Sequence, residues 1–287
     1  MRGQGDELLS CRVRGRLKEK GIDIFVGDMV EVERTGAGEG VIENVLARKN
    51  RLRRPLVSNI DQVIALVAVK DPPLDLLLLD RIVLTAEEAD IDIVICFSKT
   101  DLMQEEDSER FALLAEVYRR CGYMVFFTST MTGAGFDDLE GALEGKVTVL
   151  AGPSGAGKST LVNTLKPGLG LLSSPVSEKN RRGRQTTRDV SLINLYGDAF
   201  IVDTPGFQRL DLKGFTVENL AQFFPEMNAL HGLCRFTGCL HMAEPDCAVK
   251  DALEKGRIAL WRYEHYQFFL KEIKERERVF VKKGGNK

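Results

Sequence analysis

Residues 152–160 read GPSGAGKST, a run of small residues that ends in a lysine and two hydroxyl side chains. The spacing fits the pattern G-x-x-x-x-G-K-[ST], in which a glycine-rich loop turns its backbone N–H groups toward phosphate oxygens. Lys158 is expected to reach the β- and γ-phosphates of a nucleotide, and Ser159 to ligate Mg²⁺. The pattern alone leaves the base and the reaction open, because a nucleotide kinase or a transport ATPase would fit it equally well. The residues that we expect around the phosphates are Gly152, Pro153, Ser154, Gly155, Ala156, Gly157, Lys158, Ser159 and Thr160.

A second motif, Asp203-Thr-Pro-Gly206, follows the apolar stretch AFIV. Asp203 would stand at a strand end, where a carboxylate can hold Mg²⁺ through water, and the N–H of Gly206 would face the γ-phosphate. The polar segment RRGRQTTRDV (181–190) lies between the two motifs and is either a plain surface loop or a switch segment. In a switch segment, Thr187 or its neighbour Thr186 completes the Mg²⁺ shell when a γ-phosphate is present.

The sequence SKTD, which begins at Ser98, matches the Asn-Lys-x-Asp pattern of GTP-binding proteins except that serine replaces the asparagine. The Asp101 carboxylate is expected to accept hydrogen bonds from the N1–H and the N2 amine of guanine, a pair of donors that adenine lacks. The stem of Lys99 would cover one face of the base. Ser129 and Thr130 match a second loop that packs on guanine in such proteins. Together these residues predict that the nucleotide is GTP.

The order of these motifs along the chain is a circular permutation of the usual one. The base-reading residues come first, and the phosphate loop, the switch segment and DTPG follow. A sheet tolerates this change because its hydrogen bonds do not depend on which loop carries the chain ends. We hypothesise that nucleotide state is transmitted from DTPG along the chain beyond residue 214. Identical hydrogen exchange of that region with GTP and with GDP would refute the hypothesis.

Three cysteines and one histidine are clustered in the last quarter of the chain. Cys234, Cys239, His241 and Cys247 lie within 14 residues. Three thiolates and an imidazole make a full tetrahedral set for Zn²⁺ with no open position, which indicates one structural ion. The alternative is a group of reduced thiols beside a surface histidine.

The elements that must position these residues alternate between apolar strands and helices, which predicts an α/β domain with a parallel sheet. The expected strands are 62–70, 91–98, 123–129 and 146–152, with a hairpin at 193–203, and the expected helices are 74–89, 105–121 and 136–143. Before this region, about five short strands, the first at 11–17 (CRVRGRL), indicate a small β-barrel such as an OB-fold. After it the pattern becomes mainly helical and ends in a long helix at 257–283. We therefore expect an OB-fold domain at 1–60, a circularly permuted GTPase domain at 61–214 and a zinc-binding helical domain at 215–287.

The composition is that of a multidomain globular protein, with 44% hydrophobic and 29% charged residues in 32.0 kDa. The first residues lack the apolar core of a signal peptide, and no apolar run reaches the roughly 18 residues of a membrane span. We expect a cytoplasmic monomer without a membrane partner. The net charge of −2 is uninformative, but both flanks are slightly basic and are the favoured surfaces for RNA.

Together these motifs resemble the ribosome small-subunit-dependent GTPase A (RsgA) family over nearly the whole chain. The resemblance rests on EGVIENVLARKNRLRRP (39–55), the phosphate loop and switch segment, DTPGF (203–207) and CRFTGCLHMAEPDCAVK (234–250). It implies an OB-fold, a permuted GTPase domain and a zinc-binding C-terminal domain. It also implies that GTP is hydrolysed to GDP and that the partners are the small ribosomal subunit and its rRNA, late in the assembly of that subunit.

The sequence departs from the family pattern at two positions. The family usually has Gly-Arg/Gln-His-Thr-Thr in its switch, with the histidine proposed as catalytic, and here Gln185 stands in its place. Gln185 either orients the attacking water or is a solvated loop residue, in which case a partner completes the site. Catalytic roles are therefore expected of Gln185, Lys158 and Thr187. Ser98 is the second departure, and we expect it to loosen guanine binding without changing the choice of base.

Two other functions stay open at this stage. A nucleotide kinase would use the same phosphate loop, although no lid or acceptor-base site is evident. An RNA-binding protein with structural GTP and weak hydrolysis is the other alternative, since the usual histidine is absent. The basic stretch ARKNRLRRP (47–55) is expected to contact rRNA phosphates with salt-dependent affinity, unless it is only a solvated connector between domains.

Overall fold

The computed structural model describes residues 7–52, 56–169, 190–203 and 212–284. Five short strands occupy its first part, as the sequence predicts for an N-terminal barrel. They are β1 (Ser10–Val13), β2 (Val30–Gly36), β3 (Glu39–Val45), β4 (Arg51–Leu52) and β5 (Val57–Ser58). The central β3 pairs with β1 in parallel and with β2 in antiparallel orientation, and β4 and β5 form a separate ribbon. A single bridge between Val26 and Val57 joins the ribbon to the preceding chain.

The expectation of one strand over residues 11–17 is wrong. The strand ends at Val13, and the short helix α1 (Gly15–Glu19) follows it. This turn of helix buries Leu17, which is 3% exposed. It also brings the guanidinium of Arg16 to 2.8 Å from the Glu43 carboxylate on β3. The apolar contact and the ion pair both depend on residues distant in sequence, so the local pattern does not reveal them.

The central part of the chain is a six-stranded sheet flanked by helices. Its strands are β6 (Gln62–Ala68), β7 (Asp92–Ser98), β8 (Met124–Phe127), β9 (Val147–Ala151), β10 (Ser191–Tyr196) and β11 (Ala199–Asp203). The spatial order is β10-β11-β9-β6-β7-β8, and only β10 runs antiparallel to its neighbour. All seven residues of β6 are buried, which explains the apolar run at 63–68 that follows Gln62.

Helices cover both faces of this sheet and create two apolar cores. They are α2 (Leu76–Glu88), α3 (Glu105–Arg120), α4 (Phe136–Leu143) and α5 (Lys158–Leu165). The core with α2 and α3 contains Ile82 and Phe111, and the core with α4 and α5 contains Leu139 and Leu161. The predicted alternation of strand and helix in an α/β domain is therefore confirmed.

The remaining chain is mainly helical and forms a third core against α2. Its helices are α6 (Pro225–Asn228), α7 (Ala248–Glu254) and α8 (Leu260–Gly284), with a 3-10 helix at Leu220–Phe223. Leu84 of α2 belongs to this core together with Leu212 and Phe215. The Arg276 guanidinium of α8 donates hydrogen bonds to the carbonyl oxygens of Leu212 and Phe215. Among the described helices, none combines the length and apolar character that crossing a bilayer requires.

Candidate nucleotide site and cysteine cluster

The carboxyl ends of the parallel strands bring the predicted nucleotide-binding loops to one edge of the sheet. Residues 98–101 include the end of β7, residues 128–130 follow β8, and the phosphate loop follows β9. Strand β6, whose end carries residues 69–72, lies between β9 and β7. Ligands of open α/β sheets bind at this edge, so the loops are placed where a nucleotide site is expected.

The phosphate loop is closely fitted to the sheet beneath it. Gly152 has a φ of +147°, and a Cβ atom there would lie 2.0 Å from the Leu66 carbonyl oxygen. Gly155 and Gly157 also have positive φ values, and α5 begins at Lys158 directly after them. The glycines are therefore required by backbone conformation and by close approach, as in loops that wrap phosphate.

Lys158 lies across the phosphate loop. Its Nζ donates to the carbonyl oxygens of Gly152 and Pro153, each at 2.8 Å. The side chain is half-buried, and burial lowers the pKa of its ammonium group. Desolvation disfavours an isolated cation, and phosphate oxygens at this position would offset that effect and favour the charged form.

A hydrogen bond joins the base-reading segment to the phosphate loop. The buried Ser98 Oγ donates to the carbonyl oxygen of Ala156 over 2.7 Å. Lys99, with a φ of +59°, donates from Nζ to the carbonyl oxygen of Asp71. The two segments are 58 positions apart in sequence, so only the sheet brings them together.

The two predicted guanine loops are also bonded to each other. Ser129 Oγ donates to Asp101 Oδ1 over 2.5 Å. Ser129 Oγ in turn accepts hydrogen bonds from the backbone N–H groups of Met131 and Thr132. This arrangement fixes one carboxylate oxygen of Asp101. The half-buried Thr130 continues the loop directly after Ser129.

Sequence reasoning missed two contributors to this edge. The turn at Asp71 and Pro72 holds the ammonium of Lys99 and also lies beside the phosphate loop, since a Cβ at Gly155 would be 3.5 Å from Pro72 Cδ. The Asp-Pro-Pro sequence after β6 was the available turn signal. Gly135 is the other contributor, because a Cβ there would lie 1.9 Å from the Phe127 carbonyl oxygen.

The predicted Mg²⁺ ligands are described only in part. Ser159 is half-buried in the first turn of α5, and Asp203 is the last residue of β11, next to β9 in the sheet. Four other predicted site residues lie outside the described residues. They are Gln185, Thr186, Thr187 and Gly206.

The cysteine cluster is assembled as predicted. One ligand atom each from Cys234, Cys239, His241 and Cys247 lies within 4.8 Å of all the others. His241 Nδ1 is 3.3 Å from Cys247 Sγ and 3.6 Å from Cys234 Sγ. Four soft donors converging on one point, within the part of the chain described, fit a tetrahedral metal site.

Surrounding residues hold the loop that carries the cluster. Tyr263 and Tyr266 of α8 donate hydrogen bonds to the carbonyl oxygens of His241 and Leu240, at 2.5 and 2.9 Å. Glu244 accepts hydrogen bonds from the backbone N–H groups on either side of His241, those of Leu240 and Met242. The ligands are thus positioned by bonds to the loop backbone.

The pKa values of two cluster residues describe the site before a cation binds. Burial raises the pKa of the Cys239 thiol to about 12. Burial lowers the pKa of His241 and keeps its imidazole neutral, which is the metal-binding form. Without a bound cation the Cys239 thiol is therefore protonated, and a cation would have to displace that proton to use the thiolate as a ligand.

The basic stretch at 47–55 is only partly available to a partner. The Arg48 guanidinium pairs with the Asp28 carboxylate at 2.7 Å and lies over the Phe25 ring. Burial alone would raise the pKa of Asp28, but hydrogen bonds from Arg48, Phe25 and Ser58 hold it below its usual value. Arg48 is therefore committed to an internal contact. Lys49 and Arg51 are exposed, and residues 53–55 lie outside the described residues.

Comparison with known proteins agrees with this architecture. Residues 42–213 match the family model described as RsgA GTPase, and residues 3–42 match the one described as RsgA N-terminal domain. The chain is 47% identical to the small ribosomal subunit biogenesis GTPase RsgA of Moorella thermoacetica, over 94% of this chain and 92% of that protein. It is 44% identical to the protein of the same name from Limosilactobacillus fermentum, over 92% of this chain and 90% of that one.

Two solved structures have the same fold. The crystal structure of YjeQ from Thermotoga maritima is 38% identical with a TM-score of 0.81, and the match covers 92% of this chain and 89% of that chain. That of YloQ, a circularly permuted GTPase, is 33% identical with a TM-score of 0.80 and covers 96% and 89%. The predicted resemblance and the predicted fold class are confirmed. The chain belongs to the RsgA GTPase family, a family of GTP hydrolases with a circularly permuted fold.

Proposed function

We propose that this protein binds the small ribosomal subunit late in its assembly and there hydrolyses GTP to GDP and phosphate. The names of its relatives support the subunit as partner. The observation that carries the proposal is the hydrogen bond from Ser98 to Ala156, which joins the base-reading segment to the phosphate loop. This bond supports the proposal that loops in permuted order along the chain serve one nucleotide.

In this proposal, different described residues bind the base and the phosphates of the nucleotide. Asp101 accepts from the N1–H and N2 amine of guanine, and Lys99 covers one face of the base while Ser129 and Thr130 cover its edge. The backbone of residues 152–157 surrounds the phosphates, and Lys158 stabilises the charge that develops on the γ-phosphate. Thr160 completes the contact at the start of α5.

Hydrolysis needs a metal ion and an oriented water molecule. Ser159, Thr187 and Asp203 are proposed to hold Mg²⁺, which would neutralise phosphate charge there. Gln185 is proposed to orient the attacking water, and the N–H of Gly206 to bind the γ-phosphate. A glutamine amide can orient water but cannot exchange a proton as the imidazole of histidine does. Contact with the ribosomal subunit is therefore expected to be required for rapid turnover.

The C-terminal cluster has a structural role in this proposal. Its four donors, Cys234, Cys239, His241 and Cys247, would hold one Zn²⁺ and leave no coordination position for a substrate. We propose three domains, at 1–60, 61–214 and 215–287, in a monomer. Lys49 and Arg51 of the first are the described candidates for contact with rRNA phosphates, with affinity that falls as salt rises.

The experiment that tests this function is phosphate release from GTP, measured over many turnovers with and without purified small subunits. We expect the subunits to raise the turnover rate at least about tenfold, the effect of completing a site that lacks one catalytic group. GMP is added in a parallel reaction. Phosphoryl transfer to GMP would instead establish a nucleotide kinase, and GTP binding without stimulated release would establish an RNA-binding protein with structural GTP.

A further inference from the structure

Ser98 occupies a position at which the base-reading pattern usually has asparagine. Its hydroxyl group is buried and hydrogen-bonded. The residue is 7% exposed. Its Oγ lies 2.7 Å from the Ala156 carbonyl oxygen and 3.4 Å from that of Val67. Its own carbonyl oxygen accepts a hydrogen bond from Val69 N–H at 3.0 Å. Ser98 is thus bonded to β6 and to the phosphate loop at the same time.

The hydrogen bond from Ser98 to Ala156 fixes the orientation of the peptide group between Ala156 and Gly157. A trans peptide is planar, so its C=O and N–H point in opposite directions. With the Ala156 carbonyl held toward Ser98, the N–H of Gly157 points away from Ser98. The N–H of Ala156 donates to Pro153 O at 3.3 Å. Both peptide groups that flank Ala156 are therefore fixed in the loop that wraps phosphate.

We propose that Ser98 is a positioning residue, which orients the Ala156–Gly157 peptide for phosphate binding and does not contact the base. The inference rests on the proposed GTP site and revises the sequence-based expectation that Ser98, as part of the base-reading motif, loosens guanine binding. Asp101, fixed by Ser129 at 2.5 Å, then carries the recognition of the base. Phosphate affinity and base selectivity then have separate determinants within one short segment, Ser98 and Asp101.

Loss of the hydroxyl should weaken GTP and GDP alike. Ser98→Ala leaves the buried Ala156 carbonyl without its donor, which we expect to lower both affinities about tenfold. The ratio of GTP to ITP affinity should not change, because ITP lacks only the N2 amine that Asp101 reads. Ser98→Asn keeps a donor group and should bind GTP within about twofold of the wild type.

The test is equilibrium titration of the full chain with GTP, GDP and ITP for the wild type, Ser98→Ala and Ser98→Asn. Ser58→Ala is the matched control, since Ser58 is also buried and donates to Asp28 at 2.5 Å, but it lies in the N-terminal strands. Its nucleotide affinities should equal those of the wild type, and thermal unfolding of each variant shows whether it is folded.

Three results would overturn the inference. The first is a Ser98→Ala variant that binds GTP as the wild type does, and the second is a Ser98→Asn variant that binds GTP as weakly as Ser98→Ala. The third is a changed ratio of GTP to ITP affinity in Ser98→Ala, which would show that Ser98 takes part in recognition of the base. A wild type that does not bind GTP would contradict the proposed nucleotide site itself, and so is distinguishable from all three.

Discussion

The nucleotide edge and the cysteine cluster are both built from loops, but different parts of the fold hold them together. The four residues of the cluster lie between Cys234 and Cys247, and their loop is fixed by contacts from α8. The nucleotide edge takes its residues from loops that begin at Ser98 and extend to Lys158, and parallel strands align them. The cluster is thus specified locally, whereas the nucleotide edge is specified by sheet topology.

This difference predicts that each region can be disabled without the other, except where they are joined. The joining contact is the buried Arg262 of α8. It pairs with Asp80 of α2 at 2.5 Å and with Glu226 at 2.6 Å. Asp80 also accepts a hydrogen bond from Tyr118 at 2.8 Å and lies 2.6 Å from His265 Nδ1. Substitutions at the nucleotide edge, at the cluster and at Arg262 should therefore have different effects on nucleotide binding, on zinc binding and on folding stability.

The largest expected effect is at the base. Asp101→Asn replaces a carboxylate with an amide, which can donate to the 2-oxo group of xanthine but accepts only one of the two guanine donors. The ratio of GTP to XTP affinity should fall about 10⁴-fold, in line with sites that hydrogen-bond a polar substrate group. Competition titration with GTP and XTP measures this ratio. Zinc content should stay at the wild-type value.

Asp92→Asn is the control for this change, because Asp92 is exposed at the opposite end of the same strand, β7. It should keep the wild-type ratio. An Asp101→Asn variant that still preferred GTP as strongly as the wild type would remove Asp101 from base recognition.

Removing the ammonium group at the phosphate loop should have the next largest effect. Lys158→Ala is expected to lower the rate of GTP hydrolysis about 10²- to 10³-fold, because a preorganised charge at the γ-phosphate is lost. Phosphate release measures this rate. Lys146→Ala is the control: Lys146 bonds to Gln62 at 3.2 Å near the opposite edge of the sheet. Equal rates for the two variants would contradict the assigned role of Lys158.

The contact that joins the regions should affect folding stability. Arg262→Met leaves the Asp80 carboxylate buried without its cation, and we expect the free energy of unfolding to fall by about 3–5 kcal/mol. Chemical denaturation measures the loss. Arg257→Met, in an exposed pair with Asp251, should be indistinguishable from the wild type. A similarly small effect at Arg262 would contradict the role assigned to this buried pair.

The smallest expected effect on GTP comes from the cluster. Cys239→Ser should weaken zinc binding by at least about 100-fold, the upper range for loss of a residue that only supports a ligand. Chelator competition measures the affinity, and Cys11→Ser, outside the cluster, should leave it unchanged. GTP affinity should remain within about twofold, since the nucleotide loops are aligned by the sheet. A large loss of GTP affinity would contradict local specification of the cluster.

Much of both sites is predictable from sequence because the residues of each motif lie close together along the chain. The phosphate loop shows its glycines and lysine in nine consecutive residues, 152–160. The cluster shows its donors in 14 consecutive residues, and the apolar runs of β6 and β7 place the sheet. These features depend on local backbone and burial requirements, which neighbouring residues reveal.

The contacts between distant segments are not predictable in this way. Neither the bond of Ser98 to Ala156 nor that of Lys99 to Asp71 has a local signature. The buried pair of Arg262 with Asp80 spans 182 positions and looks, in sequence, like ordinary surface charge. Arg48 likewise reads as part of a basic stretch, yet its partner, Asp28, is 20 positions away. Long-range pairing decides which polar residues are structural.

The central claim is that loops in permuted order bind one guanosine triphosphate, and titration of the wild type with GTP and ATP under the same conditions tests it most directly. In the proposed site, the carboxylate of Asp101 would find two donors on guanine and none at the matching positions of adenine. The account predicts that GTP binds at least about 10³-fold more tightly than ATP. Equal uptake of the two nucleotides would contradict it.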